Sequence, residues 1–400
     1  MVAFSFRKQK GGRPRAIIVR QTRYYELQLQ REAEALRDAG YDVELIHMRQ
    51  DGTPHREVVN GIVVTTLPGS MGRSSKLRYM VDYARFFMLV AGTLTARHLK
   101  RPYAVIQVNT MPDFLVFATA LPKLFGSRVV AYMHEPSPEL AESLFGPGRV
   151  SRALAFVEQR VLRFADHSIA VTDQLKERYV ERGAKPEGIT VVLNGADPQS
   201  LLGDWTPPEV SDDDATFTVV CHGSIEDRYG QDTIVEAARI LKPELPDLRV
   251  VIVGRGKATD ALVAQIAEAD VGDVVSFEGW VSDERLRELL HTADAGIVAQ
   301  KATPYSHLVS TNKMVDYWIF GLPVIASRLR AVSELCDDST LEFYEPGDPE
   351  DLARAIRHLH DDPARREELA RNGRRAEQEL GWAVQKQKYL GVFDALMSRG

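Results

Sequence analysis

The 400-residue chain lacks the features that would mark a disulfide-bonded, zinc-binding or membrane-spanning protein. Its two cysteines, Cys221 and Cys336, are too few for a disulfide framework and lack the CxxC spacing of a zinc site. The longest apolar run, from Phe86 to Gly92, is far below the ~20 residues that cross a bilayer. The basic N-terminal segment holds only a short apolar run, Ala16 to Val19, where a signal-peptide core needs ~7 residues or more. We therefore predict a cytoplasmic protein whose membrane contact is at most peripheral.

The composition, 44% hydrophobic and 26% charged residues, is that of an ordinary folded protein. At about 150 residues per domain the length predicts two or three domains, and we start from two. The net charge of −6 is unevenly distributed. Residues 1–101 hold 18 Lys and Arg against 9 Asp and Glu, whereas residues 102–400 hold 32 against 47. The first quarter of the chain is therefore strongly basic.

Short apolar runs alternate with amphipathic stretches along most of the chain, which is typical of βαβ units and parallel sheets. The polar stretch from Pro198 to Ala215, with the acidic triplet Asp212 to Asp214, is predicted to be a solvated linker rather than a metal site. Helical spacing returns from Asp348 to Arg399. The predicted strands form two series, 16–19, 40–46, 104–108 and 129–133 before the linker, and 216–221, 248–253, 274–278, 296–299 and 323–326 after it.

The segment from Ser310 to Ser327, STNKMVDYWIFGLPVIAS, is the most informative about function. Ser310 or Thr311 is predicted to cap a helix that ends at Gly321, with a buried strand after it. The start of such a helix offers unpaired backbone N–H groups and the positive end of the helix dipole, which suit a diphosphate. This segment is our first candidate for phosphate binding.

Two charged side chains of this predicted helix strengthen the hypothesis. Lys313 adds positive charge in the first turn, and Asp316, three residues later, projects from the same face. A carboxylate one turn beyond a phosphate-binding helix start is well placed to accept hydrogen bonds from ribose hydroxyls. The alternative is an ordinary capped helix with a surface Lys–Asp pair, and the segment alone leaves both interpretations open.

A second candidate for phosphate binding is the loop after the first strand of the second series. Within residues 219–232, Gly223 and Gly230 permit close backbone approach, and Arg228 provides a fork-shaped donor for phosphate oxygens. A third such loop, residues 254–256, lacks the full GxGxxG spacing because Thr259 stands at the third glycine position. A dinucleotide fingerprint is therefore not predicted.

Cys221 and His222 stand side by side before the second loop, which suggests a thiol–imidazole pair. Neighbours on a strand point to opposite faces, so we do not predict a nucleophilic dyad. In the first series, His134 and Glu135 directly follow the predicted strand 129–133. Ligands of open α/β sheets bind beyond the carboxyl ends of the strands. His134 is therefore a candidate ligand-binding residue, with a satisfied structural histidine as the alternative.

Taken together, these segments resemble the retaining glycosyltransferases of family 4. That family has the GT-B fold, an α/β architecture of two Rossmann-like domains whose parallel sheets face an interdomain cleft. The resemblance implies domains at 1–200 and 201–382, with a helix at about 383–400 packing back on the first. It covers nearly the whole chain and rests on NKMVDYWIFGLPVIAS with GYDVELI, MHEPSPE, FADHSIAVTDQLKERY, ITVVLNGAD, HGSIEDRYGQDTIVEAA, VVIVGRGK, SFEGWVSDERLRELLHTADAGIVA and EFYEPGDPEDLARAI.

The resemblance implies that the second domain binds a nucleoside-diphosphate sugar, UDP-linked rather than GDP-linked, and that the first domain holds a hydroxyl acceptor. The acceptor would be a lipid-linked, cell-envelope or polysaccharide glycan, and the sugar a hexose or an N-acetylhexosamine. Transfer would retain the anomeric configuration by front-face attack, so that the leaving diphosphate helps deprotonate the acceptor and no pair of carboxylates is required. Neither a metal nor any other cofactor is expected. The alternatives are a sugar-nucleotide epimerase of similar architecture and a non-catalytic sugar-nucleotide-binding protein.

Two positions carry over from the family pattern and one departs from it. Asp316 takes the place of the glutamate that binds the donor ribose, and His134 that of the histidine beside the reacting sugar. Leu308 stands where the family has a further glutamate, and a leucine cannot hydrogen-bond to sugar hydroxyls. His307 and Ser310 are the candidates to replace it.

The basic residues usual after the first strand of the second domain are also altered. Ser224 stands where the family often has Arg and Tyr229 where it often has Lys, so Arg228 is predicted to supply the charge. The complete set predicted to bind the donor is Gly223, Ser224, Arg228, Gly254, Arg255, His307, Ser310, Thr311, Asn312, Lys313 and Asp316. The predicted catalytic residues are His134, Arg228 and Lys313, and the predicted acceptor-side residues are Glu135, Arg20 and Arg23.

The basic excess includes a predicted amphipathic helix within residues 72–101. Basic residues beside an apolar face suit an anionic membrane surface. The alternative is a core-packing helix with solvated charges, while no nucleic-acid recognition motif is present. The apolar residues at helical spacing are Leu77, Met80, Ala84, Phe87, Met88 and Ala91, and the predicted membrane face carries Arg73, Lys76, Arg78 and Arg85.

Overall fold

The computed structural model describes residues 12–21, 27–49, 54–68, 76–207 and 216–398, without the side chains of residues 27 and 76–80. The chain forms two compact units, Met1–Val192 with Lys386–Gly400, and Leu193–Gln385. The divisions fall at Val192/Leu193 and Gln385/Lys386, compared with the predicted 200/201 and 382/383. Each unit holds one sheet of parallel strands covered by helices, which confirms the predicted α/β class with two parallel sheets.

The first unit is built on an eight-stranded sheet in the order β3-β4-β2-β1-β5-β6-β7-β8, parallel except for the pair β3–β4. Its strands are β1 Arg15–Val19, β2 Asp42–Met48, β3 Arg56–Val59, β4 Ile62–Leu67, β5 Val105–Asn109, β6 Arg128–Met133, β7 His167–Ala170 and β8 Ile189–Val191. Its helices are α1 Leu27–Asp38, α2 Lys76–Lys100, α3 Ala120–Leu124, α4 Ser137–Phe145, α5 Arg149–Phe164 and α6 Asp173–Glu181, with 3₁₀ helices at Asp113–Thr119 and Pro186–Gly188.

The second unit is built on a six-stranded parallel sheet in the order β11-β10-β9-β12-β13-β14. Its strands are β9 Phe217–His222, β10 Leu248–Val253, β11 Val275–Gly279, β12 Ala295–Val298, β13 Val324–Ser327 and β14 Glu342–Tyr344. Its helices are α7 Pro198–Leu202, α8 Gln231–Leu241, α9 Thr259–Glu268, α10 Asp283–Thr292, α11 Lys313–Ile319, α12 Arg330–Ser333, α13 Pro349–Asp361 and α14 Pro363–Leu380, with a 3₁₀ helix at Asp227–Tyr229. A last helix, α15 Trp382–Ser398, starts in the second unit and continues into the first.

The central strands explain why the sequence pattern identified both sheets. Every residue of β1 and of β12 is buried, because helices cover both faces of a parallel sheet. A strand buried on both faces is a continuous apolar run, and such runs stand out from their polar surroundings. All nine predicted strands are confirmed to within two residues at either end.

The sequence analysis missed the antiparallel hairpin β3–β4. Its two strands pair Val59 with Ile62 across the two residues Asn60 and Gly61, which both have positive φ. That is the geometry of a type I′ turn, for which Asn-Gly is the favoured pair. The dipeptide between two apolar runs, VVNGIVV, was therefore the signal that could have found it.

The predicted linker, Pro198 to Ala215, is wrong over its first part. Residues 198–202 form α7, capped by the Asp197 side chain, and the carbonyl of Leu201 accepts a hydrogen bond from Arg287 Nε at 2.7 Å. The Trp205 ring packs edge-on against His291, with 5.5 Å between centroids. These contacts place the segment within the second unit, and residues 208–215, including the acidic triplet, lie outside the described residues.

Candidate functional site

The carboxyl end of β9 and the first turn of α11 meet in the second unit, and a glycine makes their approach possible. Gly223 follows β9 with φ +116°, a conformation that side chains rarely adopt. A Cβ at this position would lie 2.5 Å from Lys313 Cε and 3.2 Å from Lys313 Nζ. The backbone of Gly223 accordingly forms the surface against which the Lys313 side chain lies.

Two cationic side chains converge on one aromatic ring. Lys313 Nζ lies 4.6 Å from the centroid of the Tyr229 ring, and Arg228 Cζ lies 4.7 Å from the same centroid. Arg228 Cζ is also 5.7 Å from the centroid of the buried Tyr305 ring. Cation–π contacts of this kind hold a positive charge in place while its N–H groups stay available to an anion.

The charges of this pair are only partly compensated by carboxylates. Glu226 Oε2 lies 3.7 Å from Arg228 Nη1, and among the described residues no carboxylate oxygen lies within 4.0 Å of Lys313 Nζ. Burial lowers the pKa of the Lys313 ammonium, and the nearby Arg228 charge lowers it further, against the opposing effects of Cys221 and Asp316. A positive charge in such a partly desolvated position is stabilised by a bound anion.

His222 and Asp316 also lie near the lysine. The Nε2 of His222 lies 3.7 Å from Asp316 Oδ2, which is too long for a hydrogen bond. Burial, with a smaller contribution from the Lys313 charge, lowers the pKa of His222 to about 3, so its imidazole is neutral near pH 7. The backbone N–H of His222 donates to the hydroxyl of Tyr317, which fixes the end of β9 to α11.

The predicted helix start is wrong by one or two residues, depending on whether Thr311 or Ser310 is taken as the cap. The helix α11 begins at Lys313 with Asn312 at the N-cap position, and neither Ser310 nor Thr311 caps it. The Thr311 hydroxyl instead accepts a hydrogen bond from the Lys313 backbone N–H at 3.3 Å, as in a local side-chain turn. The side-chain oxygen of Asn312 is buried and, within the described part of the chain, has no hydrogen-bond partner.

Other residues predicted to bind the donor are placed differently. Arg255 is exposed, and its guanidinium stacks on the exposed ring of Trp280 at 4.5 Å. His307 Nδ1 accepts a hydrogen bond from the backbone N–H at position 330, and Leu308 is only 3% exposed, which makes it a core residue. Ser224 is exposed, whereas Gly254 lies against Gly223.

In the first unit, His134 follows β6 in a buried position. Its Nδ1 lies 3.3 Å from Gln28 Nε2. An amide nitrogen only donates, so Nδ1 accepts and Nε2 carries the proton of the neutral ring. The ring stacks on Tyr132 with 4.2 Å between centroids. Burial and, secondarily, the charge of Arg20 hold the pKa of His134 well below its usual value.

This arrangement makes His134 a hydrogen-bond donor. Its Nε2 is buried and has no hydrogen-bond partner among the residues that the structure describes. A buried donor that lacks a partner costs free energy until a ligand accepts from it. Of the other predicted acceptor-side residues, Arg20 is near enough to shift the pKa of His134, Glu135 is partly buried, and Arg23 lies outside the described residues.

Three side chains that the structure places in these sites were not predicted from the sequence. His222 was considered only as a partner for Cys221, although its position before Gly223 at the end of a strand marked it as a candidate. Tyr229 was treated as a departure from a family pattern rather than as a support for two cations. Gln28 lies on α1, where nothing in the sequence connects it to His134.

The helix α2 presents two apolar stripes. Phe86, Val90 and Leu94 are buried against the first unit, whereas Met88 is 67% exposed. Of the predicted stripe, Ala84 is exposed beside Met88, Phe87 and Ala91 are partly buried, and the side chains of Leu77 and Met80 are not described. Arg85 is exposed on the outward side, the side chains of Lys76 and Arg78 are not described, and Arg73 lies outside the described residues.

The described residues hold no group of three or more His, Cys, Asp or Glu side chains that could bind a metal ion. None of the helices described here has both the length and the apolar character needed to cross a membrane.

Two family models together match most of the chain. The model described as glycosyl transferase 4-like domain matches residues 25–195, and the model described as glycosyl transferases group 1 matches residues 207–376. Among curated proteins, the chain is 26% identical over 266 residues to a protein named glycogen synthase from Mycobacterium tuberculosis. That alignment covers 66% of this chain and 62% of the relative, so the chain matches less than two thirds of the relative's length.

Solved structures of glycosyltransferases share the fold over nearly the whole chain. The sucrose-phosphate synthase of Thermosynechococcus elongatus has a TM-score of 0.77 at 19% identity, covering 97% of this chain and all of that one. Anabaena HepE, solved in complex with UDP-glucose, has a TM-score of 0.72 at 17% identity, covering 95% of this chain and 99% of that one. These likenesses show the GT-B fold.

Proposed function

The chain belongs to the group 1 glycosyl transferases, and on that premise we propose that it moves a sugar from a nucleoside-diphosphate sugar to a hydroxyl acceptor with retention of the anomeric configuration. The observation that carries this proposal is the pair Arg228 and Lys313 held on the Tyr229 ring. This pair offers two donors to an anion beside the end of a parallel strand, where open α/β sheets bind ligands.

The donor nucleotide would bind to the second unit through its diphosphate and its ribose. Arg228 and Lys313 contact the phosphate oxygens, and Asp316 accepts hydrogen bonds from the ribose hydroxyls. We propose UDP as the nucleotide of the donor, because HepE, which shares the fold, was solved with UDP-glucose. We propose that a hexose or an N-acetylhexosamine is the transferred sugar and that neither a metal nor another cofactor takes part.

During the reaction the two cations stabilise the negative charge that develops on the departing diphosphate. The leaving phosphate oxygen takes the proton of the attacking hydroxyl, so no protein base is needed for that step. His134 fits such a scheme as a donor, because its Nε2 carries a proton and its low pKa keeps the ring neutral. It donates a hydrogen bond to the substrate and orients it, rather than removing a proton.

The test is a melting-temperature screen of the full chain against UDP, GDP, ADP and their sugars, followed by transfer assays with the stabilising sugar. We expect one diphosphate to raise Tm and the anomeric configuration of the product to match that of the donor. Isomerised nucleotide sugar without an acceptor would identify an epimerase instead. Binding with neither transfer nor hydrolysis would identify a non-catalytic binding protein, and no stabilisation by any nucleotide would refute the proposal.

For the acceptor, we propose a lipid-linked or cell-envelope glycan presented at the inner face of a membrane. The support is the α2–α3 surface, which we define as Val81, Arg85, Met88, Leu121, Leu124 and Phe125. Its apolar members are 50% to 77% exposed, and α2 packs against α3 within the first unit. Exposed apolar side chains beside basic ones match an anionic lipid surface.

The membrane proposal is tested by sedimentation with vesicles of anionic and of neutral lipid at low and high salt. We expect binding to anionic vesicles that weakens with salt, and a loss of ~10-fold or more when Met88 and Leu124 are both changed to Ser. Val263→Ser is the matched control, since Val263 is 49% exposed on α9 of the second unit. Equal binding by the double variant would contradict the proposal.

A further inference from the structure

A chain of buried polar side chains crosses the first unit from α15 to α1. The hydroxyl of Tyr389 donates to Gln107 Oε1 at 2.6 Å, and Gln107 Nε2 donates to Glu32 Oε2 at 2.7 Å. Asn109 Nδ2 donates to the same carboxylate oxygen at 2.8 Å. All four residues are at most 1% exposed, so this chain connects three elements, α15, β5 and α1, entirely within the interior of the unit.

This chain of hydrogen bonds is connected to His134 in two ways. The positive charge of Arg20 lowers the pKa of Glu32 and also that of His134, so Arg20 lies near enough to act on both groups. Tyr132 makes a second connection, because its ring stacks on His134 and lies 6.3 Å from the Tyr389 ring. His134 and the hydrogen-bonded chain therefore share one nearby cation and one aromatic neighbour.

The carboxylate of Glu32 costs stability where it stands. Burial raises its pKa to about 7, even though Asn109, Arg20, Gln107 and Arg31 all lower it. A carboxyl whose pKa is higher in the folded state favours folding below about pH 4.5 and loses that contribution as the pH rises through 7. Its Oε1 is buried and has no hydrogen-bond partner among the described residues. A neutral glutamine would stabilise the unit at pH 8, so stability does not explain a carboxylate here.

Geometry assigns the carboxylate a different purpose. We propose that Glu32 is a positioning residue for sugar transfer: its carboxylate, held by Gln107 and Asn109, keeps Arg20 beside His134 and thereby fixes the direction of the His134 Nε2–H. Tyr389 of α15 completes the arrangement by holding Gln107. This inference rests on the proposed function, because the donor that is fixed is the one offered to the substrate.

The charged and titratable groups that face Glu32 come from every element around it. They are Arg20 after β1, Arg31 on α1, Tyr132 on β6 and Tyr389 on α15, and His134 is connected to them through Arg20 and Tyr132. The pKa of His134 lies well below neutrality, and burial raises those of Tyr132 and Tyr389 far above it. Within this set, a change of charge near pH 7 belongs to Glu32.

The first experiment needs no substrate. We expect the imidazole nitrogen resonances of His134, measured by NMR in the full chain, to shift with a midpoint near pH 7 in the wild type while the ring stays neutral. In Glu32→Gln they become independent of pH. A flat wild-type response, or an unchanged midpoint in the variant, would overturn the proposal whether or not the protein transfers sugar.

The second experiment measures transfer and stability together. We expect Glu32→Gln to lower kcat by ~10- to 100-fold with an unchanged KM for the donor, and to melt at a higher temperature than the wild type at pH 8. Tyr389→Phe, which removes one hydroxyl, lowers kcat by a smaller factor. Asp113→Asn is the control, because Asp113 is 4% exposed and has its pKa raised by burial to about 7, yet its side chain is hydrogen-bonded to Ser137.

The outcomes separate the two proposals. A Glu32→Gln protein with wild-type kcat, or one that loses activity only by unfolding, would show that Glu32 is structural. An Asp113→Asn loss equal to that of Glu32→Gln would show that any buried carboxyl in this unit has the same effect. Absence of transfer in the wild type would refute the proposed function. The NMR titration would still decide whether the charge of Glu32 acts on His134.

Discussion

The two candidate sites use charge in opposite ways. In the second unit, Arg228 and Lys313 are cations that lie on one aromatic ring. Among the described residues, a carboxylate oxygen lies within 4.0 Å of Arg228, but none lies within that distance of Lys313 Nζ. In the first unit, the central group is a neutral histidine, and the charge that shifts its pKa is that of Arg20, which also acts on Glu32. The proposed function accounts for this contrast. Cations are needed where a departing diphosphate is to be stabilised, whereas a neutral hydrogen-bond donor is sufficient where a substrate is only to be oriented.

This contrast predicts the largest losses at the cations of the second unit. Arg228→Ala and Lys313→Ala should each lower kcat by ~10²-fold or more, because each removes a donor to charge that forms only in the transition state. The measurement is steady-state transfer at saturating acceptor. Arg255→Ala is the matched control, since its guanidinium is exposed and stacked on Trp280, and it should change kcat by less than ~3-fold. Near-wild-type rates in both cation variants would eliminate the phosphate assignment.

A smaller loss is expected at the neutral donor of the first unit. His134→Ala removes one hydrogen-bond donor and should lower kcat/KM by ~10- to 100-fold, a scale set by one hydrogen bond and the orientation it supplies. Because the pKa of His134 lies well below 6.5, the pH profile of the wild type should show no limb from this residue near pH 6.5. A limb at that pH that disappears in His134→Ala would show that the histidine transfers a proton, and the contrast between the sites would fail.

Asp316 should affect binding more than rate. Asp316→Asn keeps the shape of the side chain and removes its charge, so hydrogen bonds from ribose hydroxyls weaken and the KM for the donor rises by ~10-fold with kcat nearly unchanged. Glu236→Gln serves as the control, because Glu236 is paired with Arg239 on α8. An Asp316→Asn protein with normal KM and reduced kcat would place Asp316 in the reaction itself.

The smallest effect on catalysis is expected for a substitution at Gly223, which should also lower the stability measurably. An alanine there would have φ +116° and its Cβ 2.5 Å from Lys313 Cε. The flexible lysine can move aside, so we expect about 1–3 kcal/mol of backbone strain, seen as a lower Tm, with donor affinity reduced several-fold. Unchanged Tm and unchanged affinity in Gly223→Ala would show that Lys313 does not depend on the glycine for its place.

Much of the second-unit site could be predicted because its residues lie close together in the sequence. Lys313 and Asp316 occupy one helical turn, and Gly223 and Arg228 share one loop. The helix start was misplaced because Ser310 and Thr311 are good capping residues by type, while the cap that forms depends on how the preceding loop packs. His307 and Leu308 show the same limit, since one is tied to α12 and the other enters the core.

In the first unit, His134 and Arg20 were named from the sequence, but Glu32 was not. Glu32 lies in the helix sequence LQLQREAEALRD, where a glutamate ordinarily faces solvent. Its direct partners, Gln107 and Asn109, come from β5. Gln107 is held in turn by Tyr389 of α15, which is 282 residues away in the chain. No local pattern encodes such a distance.

The sequence by itself determined the α/β class, the two sheets and the separate position of the basic segment, because burial on both faces of a parallel strand leaves a continuous apolar run that local composition reveals. Tertiary structure alone decided that Lys313 and Arg228 share the Tyr229 ring, that His222 lies beside Asp316, and that Glu32 is buried against Gln107 and Asn109. Each of these contacts joins elements distant in sequence. Their electrostatic character depends on desolvation, which exists only once the chain has folded around them.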